Sequence, residues 1–216
     1  MKAKIIACET VAEALSGLLP AGMACEVLRF GLHNTPDLLH QEIQRAIDET
    51  ADDVDTIILG YGICSKGTVE LQARRFKLVI PRADDCIALF LGSRDRYREE
   101  FFRAPGTFYL TRGWIRYGGD PYSEYRKMVE RYGHEKAYML EKMVIEHYTR
   151  LALIRTDDVD LERCRDYARQ VASFFDLDFE EIDGSNRMIH KLLRGDWDEE
   201  FVVVEPGGVT TPKLFE

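Results

Sequence analysis

The feature that most constrains this chain is an alternation. Short apolar runs, rich in Ile, Leu and Val, repeatedly give way to stretches whose apolar residues recur every three or four positions. Runs at 4–7, 25–30, 56–59 and 78–80 have the length of buried strands. Between them, Val11, Ala14, Leu15 and Leu18 share one helical face, and Leu38, Leu39, Ile43, Ala46 and Ile47 share another, with Thr35 and Pro36 as its starting signal. A short helix is expected over 69–75, and helices over 86–91 and 94–102 broken at Gly92 and Ser93. A further strand is expected at 107–110, followed by helices at 122–132 and 135–147; the second half then repeats the pattern, with strands expected at 151–154, 179–182 and 201–204 and helices at 161–175 and 186–193. The strand at 201–204 is continuously apolar, as in a strand buried on both faces.

Such alternation predicts an α/β fold: mostly parallel, Rossmann-like sheets with helices on both faces. A stretch at 113–122 rich in Gly, Pro and aromatic residues reads as a loop or boundary. The expected division is therefore an amino-terminal α/β lobe over 1–112, a helical connection over 113–148 and a carboxyl-terminal α/β lobe over 149–216. At 216 residues the chain is long enough for two small lobes or one long sheet.

The formal net charge of −9 disfavours nonspecific nucleic-acid binding and docking on anionic membranes. Arg94, Arg96 and Arg98 are interleaved with Asp95, Glu99 and Glu100 and read as a solvated mixed-charge helix face. No apolar run is long enough to span a bilayer, and the amino-terminal run through Cys8 lacks the apolar region of a signal peptide. A cytoplasmic location is expected. There, five cysteines are packing, chemistry or metal ligands and not a disulfide framework.

In an open parallel sheet, ligands bind beyond the carboxyl ends of the strands. The first strand ends in Cys8, the third runs through Gly60, Tyr61 and Gly62 to Cys64, and the fourth runs through Asp84 and Asp85 to Cys86. The second ends near His33. Fold logic thus gathers three thiols and an imidazole on one rim. Three Cys with one His is a zinc donor set, and thiolates also hold iron–sulfur clusters. No CxxC spacing is present, so the signal is topological. A metal centre, a reactive thiol and plainly buried cysteines all remain open. Asp85 is a candidate catalytic base or a partner of a ligand, with a helix cap as the structural alternative. Gly60 and Gly62, and Gly207 and Gly208 after the last strand, are candidate cofactor-binding backbone, with tight turns as the alternative for the second pair. The third glycine of a dinucleotide fingerprint and the lysine of a phosphate loop are missing. Cys25 and Cys164 read as structural, and His134, His147 and His190 show no ligand spacing.

Several phrases occur together: Ala7-Cys8-Glu9-Thr10, Leu59 through Cys64, Pro81 through Cys86, and Gly106 through Thr111 with Gly113-Trp114. In these the chain resembles a bacterial and archaeal domain-of-unknown-function family whose members often stand beside corrinoid-dependent methyltransferase systems in anaerobes. The resemblance implies a role in one-carbon metabolism, with a corrinoid protein as possible partner, and supplies no catalytic residues. The resulting expectation is a metal-thiolate protein, with zinc at Cys8, Cys64, Cys86 and His33 and an iron–sulfur cluster as alternative, acting in methyl transfer. The competing expectations are a two-lobed module that binds a small molecule or cofactor without turnover, and a structural partner of a methyltransferase.

Overall fold

The structure, a computed structural model, describes residues 2–156 and 159–216. It divides into two compact units, one formed by the chain up to Arg96 together with Asn186–Glu216, the other by Tyr97–Ser185.

The first unit is built on a five-stranded sheet. Its strands are β1 (Ala3–Cys8), β2 (Ala24–Leu28), β3 (Thr56–Gly60), β4 (Lys77–Pro81) and, from the end of the chain, β8 (Phe201–Val204). They lie in the order β2-β1-β3-β4-β8. The first four are mutually parallel, with Ala7 opposite Gly60 and Cys8 opposite Leu28, and β8 is antiparallel to β4. Alternate residues explain the covering of both faces. Ile6, Ile57, Leu59, Leu78 and Ile80 pack with Leu39, Ile43 and Ile47 of α2 (Pro36–Asp48). The residues between them, Ile5, Ala7, Ile58 and Val79, are fully buried as well. Helices α1 (Glu9–Leu15) and α3 (Ile87–Leu91) follow β1 and β4. Because the chain moves from β1 outward to β2 and then returns across β1 to β3, the winding direction reverses between β1 and β3.

The second unit begins within α4 (Arg94–Arg103). It holds a parallel sheet in the order β5 (Thr107–Leu110), β6 (Arg150–Arg155), β7 (Asp178–Asp183), with α5 (Arg112–Tyr117), α6 (Pro121–Tyr132), α7 (His134–Val144) and α8 (Leu161–Phe175). Its core joins Leu110, Leu151 and Leu153 to Tyr125, Ala137, Ala168, Val171 and Phe175. Helix α9 (Arg187–Arg194) returns the chain to the first unit, where it packs against α3.

The α/β class and the largely parallel strands follow the alternation in sequence. The division of the chain does not. Residues 113–148 are part of the second unit's core and no mere connection. The stretch from Asn186 onward, expected in a carboxyl-terminal lobe, belongs to the first unit, because Val202 and Val204 complete its core and Leu78 pairs with Val204. Strand β8 is also not covered on both faces, since Val203 is 37% exposed. The expected loop over 113–122 contains α5, started by Thr111, whose hydroxyl accepts from the Trp114 N–H, and ended by Gly118 at φ +73°. The helix expected over 69–75 is absent. Glu70 and Arg74 take positive φ, and the backbone there bonds to the tail instead, with Glu70 N donating to Thr210 O and Ala73 N to Gly208 O. Glu100 lies buried and ion-paired, and not on the solvated face that its neighbours suggested. No helix among the described residues is long and apolar enough to cross a membrane.

Candidate functional site

The winding reversal between β1 and β3 lies at the carboxyl rim of the first sheet, where such folds bind their ligands, and the three cysteines follow β1, β3 and β4 at that rim. Cys8 is the last residue of β1 and precedes α1; its sulfur lies 3.0 Å from the Thr10 hydroxyl. Cys64 begins a short 3-10 turn, Cys64–Lys66, after β3. Cys86 immediately precedes α3.

Two glycines allow these loops to meet. A Cβ on Gly60 would fall 2.7 Å from the Ala7 Cβ and 3.0 Å from Val11, so only glycine lets β3 end so close to β1 and α1. A Cβ on Gly62 would fall 2.5 Å from the Ala83 carbonyl oxygen. Across that contact, Ile63 N donates to Ala83 O at 2.8 Å and Cys64 N to Asp84 O at 3.0 Å, which fastens the loop after β3 to the loop after β4. These glycines therefore shape the site by close backbone packing. Cys64 itself has φ +42° and Lys66 φ +72°, left-handed conformations that residues with a side chain seldom adopt. Such strain persists where surrounding contacts impose it, and it clusters at functional sites. Here the support is a chain of buried hydrogen bonds. The Thr210 hydroxyl donates to Thr68 O at 2.7 Å, and the Thr68 hydroxyl donates to Gly62 O at 3.0 Å.

The thiols act on one another. Burial, then the Cys8 sulfur and the Asp85 carboxylate, push the Cys64 thiol far above its ordinary range. Burial, followed by Cys8, Cys64 and Asp85, does the same for Cys86. Burial raises Cys8 too, against the bond to Thr10. Tyr61, directly after β3, is 3% exposed, and its hydroxyl is raised by burial and then by Cys8, Cys64 and Cys86 together. That hydroxyl is buried with no hydrogen-bond partner. Tyr61 thus lies within electrostatic reach of all three thiols. Its place among hydrophobic residues in sequence gave no sign of this; the buried, orphaned oxygen is the only signal, and it exists only in three dimensions.

Asp85 accepts from Ile87 N at 2.8 Å, so it does start α3, while its charge also bears on Cys64 and Cys86. His33 lies in the turn Leu32–Asn34, which packs against the turn Cys64–Lys66. It sits at the edge of the site with its ring at the surface, edge-on to Phe30. Gly207 and Gly208 are elsewhere. Because β8 runs antiparallel to β4, its end lies beside the beginning of β4, at the opposite rim from the cysteines. Gly207, at φ +80°, donates its N–H to Arg74 O in a tight turn. Among the described residues, no group of three or more His, Cys, Asp or Glu side chains stands arranged to hold a metal ion as placed.

A family model described as "Protein of unknown function (DUF1638)" matches residues 27–193, and the chain belongs to that family. The matched span contains Tyr61, Cys64, Asp85 and Cys86 and leaves out Cys8. No curated protein and no solved structure matches the chain.

Proposed function

We propose that this member of the family is a metal-thiolate protein in which Cys8, Cys64 and Cys86 hold a zinc ion that activates a thiol for alkyl transfer. The observation that carries the reading is that three thiols follow the adjacent strands β1, β3 and β4 at one carboxyl rim, at the winding reversal, and bear electrostatically on one another. The state of those thiols supports it. Held protonated by burial and by one another, they are poor nucleophiles on their own, because the thiolate is the reactive form. A soft cation relieves that condition by replacing the protons. As the side chains are placed, binding requires them to turn toward a common centre. His33 is a candidate fourth ligand from the edge of the site.

Held by Cys8, Cys64 and Cys86, zinc would supply an open coordination position and would keep a bound thiol deprotonated near neutral pH. The chain's own residues do the rest. The Thr10 hydroxyl donates to the Cys8 thiolate and fixes its orientation. Asp85 holds the first turn of α3 while keeping a carboxylate beside Cys64 and Cys86, where it can accept a proton released by an incoming thiol. Alkyl transfer to a thiol fits a role in methyl or corrinoid-linked one-carbon chemistry, with a corrinoid protein as the methyl donor.

The test is elemental analysis of anaerobically produced protein, parent and Cys64→Ser. About one zinc per chain is expected in the parent and a large loss in the variant. Iron with stoichiometric sulfide would replace zinc by a cluster. A parent that takes up neither metal when both are supplied overturns the proposal.

A further inference from the structure

We propose that residues 207–216 form a latch: docked, they hold residues 64–74 in a strained form that shuts the Cys64 thiol away from solvent, and released, they let residues 69–75 fold as the helix their sequence favours and open that thiol. The inference does not depend on the metal-thiolate reading. Among the described residues six other than glycine have positive φ, and four of them, Cys64, Lys66, Glu70 and Arg74, fall within this one segment. Each such conformation is costly for a residue with a side chain. The run Glu70-Leu71-Gln72-Ala73-Arg74-Arg75 consists of strong helix formers, so local preference and tertiary placement conflict. Such a conflict persists only where contacts from outside the segment impose it. Those contacts come mainly from the tail. Glu70 N donates to Thr210 O at 2.9 Å, Thr210 N to Leu71 O at 3.0 Å, Ala73 N to Gly208 O at 2.9 Å and Gly207 N to Arg74 O at 2.6 Å. The Thr210 hydroxyl accepts from Leu71 N and donates to Thr68 O. Gln44 of α2 adds two bonds to the Gln72 backbone. Farther along the tail, Phe215 is buried in the same cluster as Cys64, Leu71 and Ala73, and Arg94 Nη1 donates to Phe215 O at 3.0 Å. With the tail docked, Cys64 is 7% exposed. Release withdraws Phe215 from the cluster around Cys64, and it removes the Thr210 support of Thr68, whose hydroxyl holds Gly62 O at 3.0 Å. A single bridge, Gln72 with Val209, joins the two stretches in place of a full sheet ladder. Strain is thus balanced against a few bonds, which is the condition for local opening.

The test is alkylation of Cys64 by iodoacetamide in metal-free protein at fixed pH, read peptide by peptide by mass spectrometry. Slow modification that depends little on urea is expected, as for a local opening. Modification only in step with global unfolding, or none at all, overturns the latch. Glu70 is exposed and sits at φ +65°, so glycine there relieves the docked strain and also disfavours the helix. Cys64 is expected to react about tenfold more slowly in Glu70→Gly than in Glu70→Ala. Equal rates in the two overturn the balance of strain against helix. Gln72 and Val209, both exposed, stand opposite each other between the bonds from Thr210 N to Leu71 O and from Ala73 N to Gly208 O. In such a narrow pair the Cα atoms lie about 4.5 Å apart, within the span of a disulfide. Closing that bridge in Gln72→Cys/Val209→Cys pins the tail, and is expected to slow Cys64 about tenfold relative to the same protein reduced. An unchanged rate on closing it overturns the tail as the latch.

Discussion

The two units place polar groups in their interiors on different terms. In the second unit Arg150 and Asp120 are buried with partners. Arg150, 7% exposed, donates from Nε to the Thr107 hydroxyl at 2.8 Å, ion-pairs with Glu180, and stands 3.5 Å from Glu100. Asp120, 1% exposed, accepts from the backbone of Tyr122 and Ser123 and from the hydroxyls of Ser123 and Tyr167. In the first unit the groups at the carboxyl rim are weak acids, three buried or half-buried thiols and a phenol, and the phenol, like that of Tyr109 in the second unit, has no partner. Paired buried charges hold one arrangement of the chain and are expensive to break. Weakly acidic groups gathered without full satisfaction are tolerable only because they remain neutral, and they are the ones that a ligand can complete. The contrast teaches where to look for function in this molecule: at the rim of the first sheet.

The largest effect that tests this contrast is in the second unit. Arg150→Met removes one of the two arginines beside Glu100 and one of the two on Glu180, and is expected to cost about 3 kcal/mol. Urea unfolding followed by Trp114 fluorescence in a Trp197→Phe background would measure it. A loss below about 1 kcal/mol would mean that the pairing is not what stabilises this unit.

Glu141 breaks the pattern within the second unit and sharpens it. It is 4% exposed, and burial, followed by Glu124 and Asp120, pushes its carboxyl up to about 7. The folded state therefore binds a proton that the unfolded chain has already released. Stability is greatest below the ordinary carboxylate range and falls as pH rises through about 7. Glu141→Gln is expected to flatten that slope and to raise stability at pH 8 by on the order of 2 kcal/mol. Parallel slopes for parent and variant in denaturant titrations at several pH values would refute it.

Next in size is the support of the strained loop in the first unit. Thr210→Val removes the bond to Thr68 O and the acceptor of Leu71 N, at a cost of about 1–2 kcal/mol. Hydrogen exchange should quicken at the Cys64 and Gly67 amides, and unchanged protection there would show that the tail does not hold the cysteine loop. The smallest effect belongs to Asp85→Asn, which keeps an oxygen for Ile87 N and removes the charge beside Cys64 and Cys86. Both thiols should then ionise more easily, and alkylation by iodoacetamide at fixed pH should speed up about two- to fivefold. No change would mean that burial alone sets their reactivity.

Much of this was legible in the residues themselves. Strand ends at Cys8, Cys64 and Cys86 can be read from short apolar runs because strand and helix periodicities are local, and a parallel α/β winding converts strand ends into a shared rim. The packing roles of Gly60 and Gly62 and the place of Tyr61 could not be read in this way, since each depends on which backbone lies opposite.

The sequence by itself thus determined the α/β class, the positions of most strands and the place of the three cysteines at or after the ends of β1, β3 and β4. Tertiary structure alone decided that β8 returns antiparallel to the first sheet, that the tail replaces a helix over 69–75, and that Gly207 and Gly208 sit at the far rim. The physical reason is range. Periodicity records what a residue buries against its near neighbours along the chain. Strand direction, loop-to-loop contact and the satisfaction of a buried hydroxyl are settled by partners far away in sequence, such as Thr210 for Thr68, and leave no mark on the local pattern.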